Sequence, residues 1–215
     1  MIDKVFIKIH NEGYKFLVIF VFATIILYFI HGFLGFIGLL LTIWCYYFFR
    51  DPERISIEDD TYLTSPADGV ILQIIDTNGP KELGLENKKF KKISIFMNVF
   101  DCHVNRSPCS GTVTEILYKP GKFINASLDK ASEDNERNYY KIKNSIGEEI
   151  IVVQIAGLIA RRIVTETTKD QELKQGSRIG MIRFGSRADI YFENYIPLVK
   201  VNQKTIAGET LLAKK

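Results

Sequence analysis

Residues 138–157, NYYKIKNSIGEEIIVVQIAG, decide the fold class. Two runs, one alternating and one almost continuously apolar, flank Asn144 to Gly147, whose residues supply turn chemistry, so the stretch reads as a β-hairpin. Short runs of the same texture lie on both sides. Upstream are VILQIID from Val70, KKISIFMNV from Lys91 and GTVTEILY from Gly111; downstream are RRIVTET, GSRIGMIRFGSRADIYF, PLVKV and GETLLA. Strands at short, even spacing with little helix predict a mainly β, compact barrel or sandwich-like domain. The segment NASLDKASEDNERN is polar and poor in large apolar residues, so it reads as a loop over a site.

The N-terminal side differs. From Phe16 to Phe49 the chain runs for 34 residues without Lys, Arg, Asp or Glu. One bilayer crossing needs about 20 apolar residues, with about 17 as a lower bound. The run is too long for one helix and fits two short ones broken at His31 and Gly32. It lacks the small-residue cleavage site of a signal peptide. Lys4, Lys8 and Lys15 precede it and Arg50 and Arg54 follow it. The excess of positive charge at both ends predicts a helical membrane hairpin, residues 1–50, that enters and returns on the cytoplasmic face of the cell membrane. RDPERISIEDDTYLTSPADG, from Arg50, is polar and turn-rich and reads as a linker into a β domain of residues 51–215.

Composition narrows the function. A net charge of +3 spread over 215 residues gives no basic stripe for nucleic acid. Three cysteines at unpaired spacings fit a reducing compartment. Cys102, His103 and Cys109 make a poor metal set, because adjacent strand residues face opposite sides and no second pair accompanies them.

Three stretches are positioned for chemistry: SPADG at residues 65–69, VFDCHVNRSPCSG at 99–111, and IRFGSRADIYF at 182–192. In the last, Gly185 interrupts a strand pattern and is either a bulge or a close backbone approach. Arg183 and Arg187 flank it, as solvated charges or as stabilisers of a developing oxyanion. No GxSxG nucleophile elbow is present. His103 follows an apolar run and precedes a Ser-Pro turn, where it can point into a pocket.

FFRDPER, SPADG, DCHVNRSPCSGTV, YKPGKFINAS and RFGSR occur in the order and spacing of short-form phosphatidylserine decarboxylases, including archaetidylserine-type relatives, and the chain resembles that family over essentially its whole length. The resemblance implies that Ser186 Oγ attacks the Gly185 carbonyl, that the ester so formed eliminates, and that loss of ammonia leaves a pyruvoyl group derived from Ser186. The products would be a β chain of residues 1–185 and an α chain of residues 186–215, a β/α heterodimer able to self-associate further. It further implies that the pyruvoyl carbonyl takes the amine of phosphatidylserine and draws electrons from the breaking carboxylate bond. Carbon dioxide leaves, and the product is phosphatidylethanolamine, a step of phospholipid biosynthesis. On the same ground His103 is the candidate proton donor and Asp68 the candidate support for self-cleavage. Longer members of the wider family resemble DYHRVHMP where this chain has DCHVNRSP, so their second histidine falls on Arg106. Either His103 then serves both steps or Asp68 acts without a histidine relay. Arg106 is suited by its planar fork to a lipid phosphate or carboxylate, with Asn105 sharing that pocket. An archaetidylserine-type lipid is the alternative substrate. From a different class, SPADGVI and VNQKTIAGETLLA also resemble lipoyl or biotinyl carrier domains, for which DKA at Asp129 to Ala131 is a partial modification motif.

Overall fold

A computed structural model describes residues 7–126, 134–158 and 162–215. The chain divides into two compact units, residues 1–53 and 54–215. The DKA motif lies outside the described residues, as do Lys4 and residues 127, 128, 132 and 133 beside the motif.

In the first unit, helix α1 spans Asn11–Ile30 and helix α2 spans Gly32–Phe48. The break falls at His31, whose extended backbone (φ −163°, ψ 131°) ends α1 while its Nδ1 accepts the Phe33 amide and caps α2. The hairpin closes on itself: the His10 amide donates to the Phe49 carbonyl at 2.9 Å and the Asp51 amide to Lys8 at 2.7 Å. The helices approach through small side chains. A Cβ on Gly38 would lie 2.9 Å from Thr24 Oγ1, and Thr24 and Thr42 hydroxyls meet at 2.9 Å. Large apolar residues face outward, Val18, Phe22 and Phe29 among them. Helix α1 is long and apolar enough to cross a membrane, with a mean hydropathy of 2.2 over its most apolar window and 6 % of that window buried.

The second unit is mainly β. In chain order its strands are Tyr62–Thr64 (β1), Gly69–Asn78 (β2), Lys89–Met97 (β3), Val104–Arg106 (β4), Gly111–Lys119 (β5), Arg137–Asn144 (β6) and Glu149–Ala156 (β7). There follow Arg162–Thr165 (β8), Glu172–Leu173 (β9), Arg178–Arg183 (β10), Ser186–Phe192 (β11), Ile196–Pro197 (β12), Lys204–Thr205 (β13) and Leu211–Lys214 (β14). An antiparallel eight-stranded sheet runs β13-β2-β3-β11-β7-β6-β5-β9, and two smaller sheets run β4-β10-β8 and β1-β14-β12.

The expected hairpin forms as β6 and β7. The Gly147 amide donates to the Asn144 carbonyl at 3.0 Å, and Gly147 takes the positive φ (+87°) that the turn requires. One face of the large sheet presents Ile71, Ile95, Val152, Ala188 and Ile190 to Leu63, Leu212, Ile179 and Ile182 from the smaller sheets. The opposite face presents Phe90, Tyr139, Val153, Ile155 and Tyr191, against which Leu83 and Leu85 pack. Burial on both faces is why β7 reads as an unbroken apolar run rather than an alternating one.

The structure departs from the sequence reading in three segments. The supposed linker after Arg50 contains β1, which pairs Leu63 with Ala213, and residues 63–69 are buried. Two apolar residues, Tyr62 and Leu63, among polar ones are too short a signal to stand out. GSRIGMIRFGSRADIYF is two strands in different sheets, so Gly185 is neither a bulge nor part of a strand. In PLVKV only Pro197, with Ile196, lies in a strand against β14, and the Leu198 amide still donates to the Leu212 carbonyl at 2.8 Å.

Tyr195 ties these parts together. Its buried hydroxyl donates to the Asp60 carbonyl at 2.8 Å and accepts from Asn144 Nδ2 at 2.9 Å. Tyr195→Phe leaves a buried carbonyl and amide without that partner, and is expected to lower stability by roughly 1–3 kcal/mol in denaturant unfolding of the detergent-purified protein.

Candidate active site

The ends of four neighbouring strands meet at Ser186. In register, Val70 of β2 lies beside Phe96 of β3, Phe96 beside Arg187 of β11, and Arg187 beside Ile155 of β7. One step toward the strand ends, Ser186 is paired on one side with Met97 and on the other with Ala156. One step further the chain leaves the sheet, bringing Asp68, Asn98, Gly185 and Gly157 to the same end.

Phe184 and Gly185 both have φ +65°. Consecutive positive φ values turn the chain sharply from β10 into β11 across two sheets. Holding a non-glycine residue such as Phe184 there costs of order 1–3 kcal/mol. Gly185 has open space where a Cβ would point, but its carbonyl does not: a Cβ on Gly157 would lie 2.3 Å from that oxygen. Glycine at 157 therefore leaves room for the 185 carbonyl. Ser186 Oγ, fully buried, makes no hydrogen bond among the described residues. A buried hydroxyl without a partner calls for an explanation. A cavity of about 270 Å³ opens at neighbouring Gly185, lined mostly by apolar groups from Phe96 to Val99, Asn125, Ala126, Gly157 and Leu158.

His103 is fully buried at the start of β4, and its carbonyl accepts the Ile182 amide at 3.2 Å, two residues before the corner. Its Nδ1 lies 3.0 Å from the Asp101 carbonyl. A carbonyl only accepts, so Nδ1 carries the hydrogen, and in the neutral ring the lone pair sits on Nε2.

The SPADG turn and the DCHVNRSP segment, far apart in sequence, are stitched together. The Arg106 amide donates to Pro66 at 2.9 Å, and Asn105 Nδ2 reaches the same carbonyl at 3.3 Å. Asn105 Oδ1 accepts from Gln154 Nε2 at 2.8 Å, and Gln154 Oε1 accepts from the Tyr140 hydroxyl at 2.8 Å. Burial pushes that hydroxyl up to about 12, so Tyr140 stays a protonated donor. Arg106 Nη1 donates to the Gly176 carbonyl at 2.9 Å. Asp68 accepts the Ala207 amide at 2.8 Å and pairs with Arg54 at 3.0 Å.

Sequence reasoning missed Gly157, which looks like the ordinary end of an apolar run, and Arg54, which looks like linker. It also misread Arg187. The side chain is neither solvated nor an oxyanion ligand: it is fully buried, with Nε 2.6 Å from Asp189 Oδ1. Asn135 was read as loop, yet its side chain holds the site's rim, with Nδ2 donating to the Ala156 and Ile124 carbonyls at 2.6 and 2.8 Å.

The family model described as Phosphatidylserine decarboxylase matches residues 41–213. The chain is 76 % identical over 215 residues to the phosphatidylserine decarboxylase proenzyme of Pelagibacter ubique, covering all of both chains. It is 54 % identical to that of Cereibacter sphaeroides, over 97 % of this chain and 90 % of the relative. It is 51 % identical to that of Ruegeria pomeroyi, over 99 % and 98 %.

Gly157→Ala sets a methyl against the Gly185 carbonyl and must shift the corner. An error of about 1 Å in a reacting group can slow a reaction about 10²-fold. If the 185–186 bond cuts itself as the family resemblance implies, the variant is expected to accumulate uncut chain, read by intact mass under denaturing conditions.

Proposed function

The chain belongs to the phosphatidylserine decarboxylase family of carboxy-lyases, and on that premise we propose that it cuts itself between Gly185 and Ser186 and then decarboxylates phosphatidylserine to phosphatidylethanolamine. The observation that carries this reading is the corner itself. Two positive φ values precede Ser186, whose fully buried hydroxyl makes no hydrogen bond among the described residues and whose nitrogen is bonded to the carbonyl it would attack. Attack by Ser186 Oγ forms the ester and breaks the 185–186 amide; elimination then releases Gly185 as the carboxyl end of the β chain. The dehydroalanine left behind tautomerises to an imine, and its hydrolysis by one water releases ammonia and leaves the α chain starting with a pyruvoyl group.

That group supplies an electron sink for decarboxylation. The residues around position 186 fit it: the side chain is enclosed, the cavity at the preceding Gly185 is largely apolar, and flanking strands hold the backbone on both sides. His103 Nε2 is the atom we assign to proton transfer, taking a proton and returning it to the substrate's α-carbon after carbon dioxide leaves. Asp68, held by Arg54 and the Ala207 amide, supports self-cleavage at the same end of the sheet. Asn105 Nδ2 and the Arg106 amide hold the SPADG turn at Pro66, while the Arg106 guanidinium, on the Gly176 carbonyl, is our candidate for the lipid phosphate or carboxylate. Residues 1–50 anchor the enzyme to the bilayer from its cytoplasmic face, and the substrate's headgroup enters by the cavity next to Gly185.

The deciding experiment is the intact mass of the wild-type protein. Two species of residues 1–185 and 186–215 are expected, the smaller lighter by one ammonia than its encoded peptide; a single uncut chain in an active preparation overturns the proposal. Ser186→Ala is expected to remain one chain without decarboxylase activity. His103→Ala is expected to lose decarboxylation by about 10²–10⁴-fold, and unchanged activity removes His103 from the proton step.

A further inference from the structure

Side chains alternate along β11, so Ser186 faces the main core while Arg187 and Asp189 point through the other face of the sheet. There the Arg187 guanidinium, fully buried, grips Asp189 in fork geometry, with Nε to Oδ1 at 2.6 Å and Nη2 to Oδ2 at 3.0 Å. Nη2 also donates to Ser94 Oγ at 2.8 Å. Ser94 sits on β3 directly across from Asp189. Arg187 Nη1 makes no hydrogen bond among the described residues.

Stability does not explain this arrangement. Two buried charges lose hydration that their attraction barely offsets, and apolar residues of similar volume in their place are often neutral or stabilising. A guanidinium nitrogen left without a partner adds to that cost. What such a pair does provide is position, because the planar fork meets a carboxylate in one geometry only.

We propose that Arg187, Asp189 and Ser94 form a positioning clamp for residue 186. The inference rests on the self-cleavage reading above. Before cleavage, residue 186 is tethered on both sides by the chain. Once the bond to Gly185 is broken, residue 186 is a free chain end, and Arg187 is the first side chain that can hold it. The clamp ties Arg187 across to β3, fixing both the height of β11 in the sheet and the direction in which the reactive terminus points. None of the three side chains touches the substrate; they act through the placement of residue 186.

The test compares wild type, the double variant Arg187→Met with Asp189→Leu, and Ser94→Ala, each purified from membranes in detergent. Intact mass, unfolding midpoint, and kcat and KM on phosphatidylserine in detergent micelles are measured for all three. The double variant is expected to keep or raise the wild-type midpoint and to cleave, yet to lose kcat by about tenfold or more at unchanged KM. Ser94→Ala leaves the ion pair in place and is expected to lower kcat several-fold with little change in midpoint or KM. Wild-type kcat in a folded, cleaved double variant overturns the clamp. Should the double variant fail to fold or cleave, Ser94→Ala decides, and wild-type kcat there overturns it equally. Failure of the underlying reading looks different, since the wild type itself would then remain uncut, and the clamp falls with it.

Discussion

The site depends on one constraint: β11 is paired along both edges up to its first residue, and the residue before it belongs to no sheet. Ser186 is bounded by Met97 and Ala156 in the ladders, whereas Gly185 and Phe184 sit at positive φ in a corner between sheets. Each ladder hydrogen bond is worth only about 1 kcal/mol net, but many act on a central strand at once. The peptide bond between 185 and 186 therefore joins a fixed half to a half free to adopt an unusual backbone geometry. A serine hydroxyl on the fixed half and the carbonyl on the adaptable half can be held close together without distorting the core.

The surroundings follow from that requirement. A corner so near a sheet end needs neighbours that neither crowd the carbonyl nor yield, and Gly157 and the SPADG turn fill those two roles. Gly157 supplies space by having no side chain. The turn supplies stiffness through Asn105, Gln154 and Tyr140, whose amide and hydroxyl groups satisfy one another in sequence. Satisfied polar groups of this kind specify one arrangement, because any slip would strand a donor or acceptor away from water.

Much of the architecture was legible in the sequence because its signals are local. The β6–β7 hairpin announced itself through Asn144 to Gly147, and the helix break through an uncharged run too long for one crossing. The SPADG, DCHVNRSP and RFGSR segments, recognisable separately, do converge on one region. What escaped is what depends on contacts distant in sequence. Strand β1 exists because β14 returns to pair with it, some 150 residues later. The Gly157 approach and the Arg54 partner of Asp68 are tertiary facts with no local mark. Arg187 was misjudged because an arginine in isolation is almost always solvated, and only the alternation of β11 across a sheet covered on both sides turns it inward.

The N-terminal unit, whose helix α1 is long and apolar enough to cross a membrane, is built by the same logic. In a bilayer every backbone polar group must find its partner internally, which the two helices achieve by i to i−4 bonding. Its two threonines each donate their one hydroxyl hydrogen to the backbone of their own helix. Thr24 donates to the Phe20 carbonyl at 2.7 Å and Thr42 to the Gly38 carbonyl at 2.9 Å, and the two oxygens lie against each other between the helices. Without a hydrophobic driving force between helices in lipid, close packing has to provide the adhesion. Gly35 and Gly38 allow it, since any side chain at either position would collide with Tyr28 or Thr24. A core helix pair in water would turn its large apolar residues inward. This pair puts small residues between the helices and turns its Val, Ile and Phe side chains outward, the arrangement expected where the surrounding medium is itself apolar.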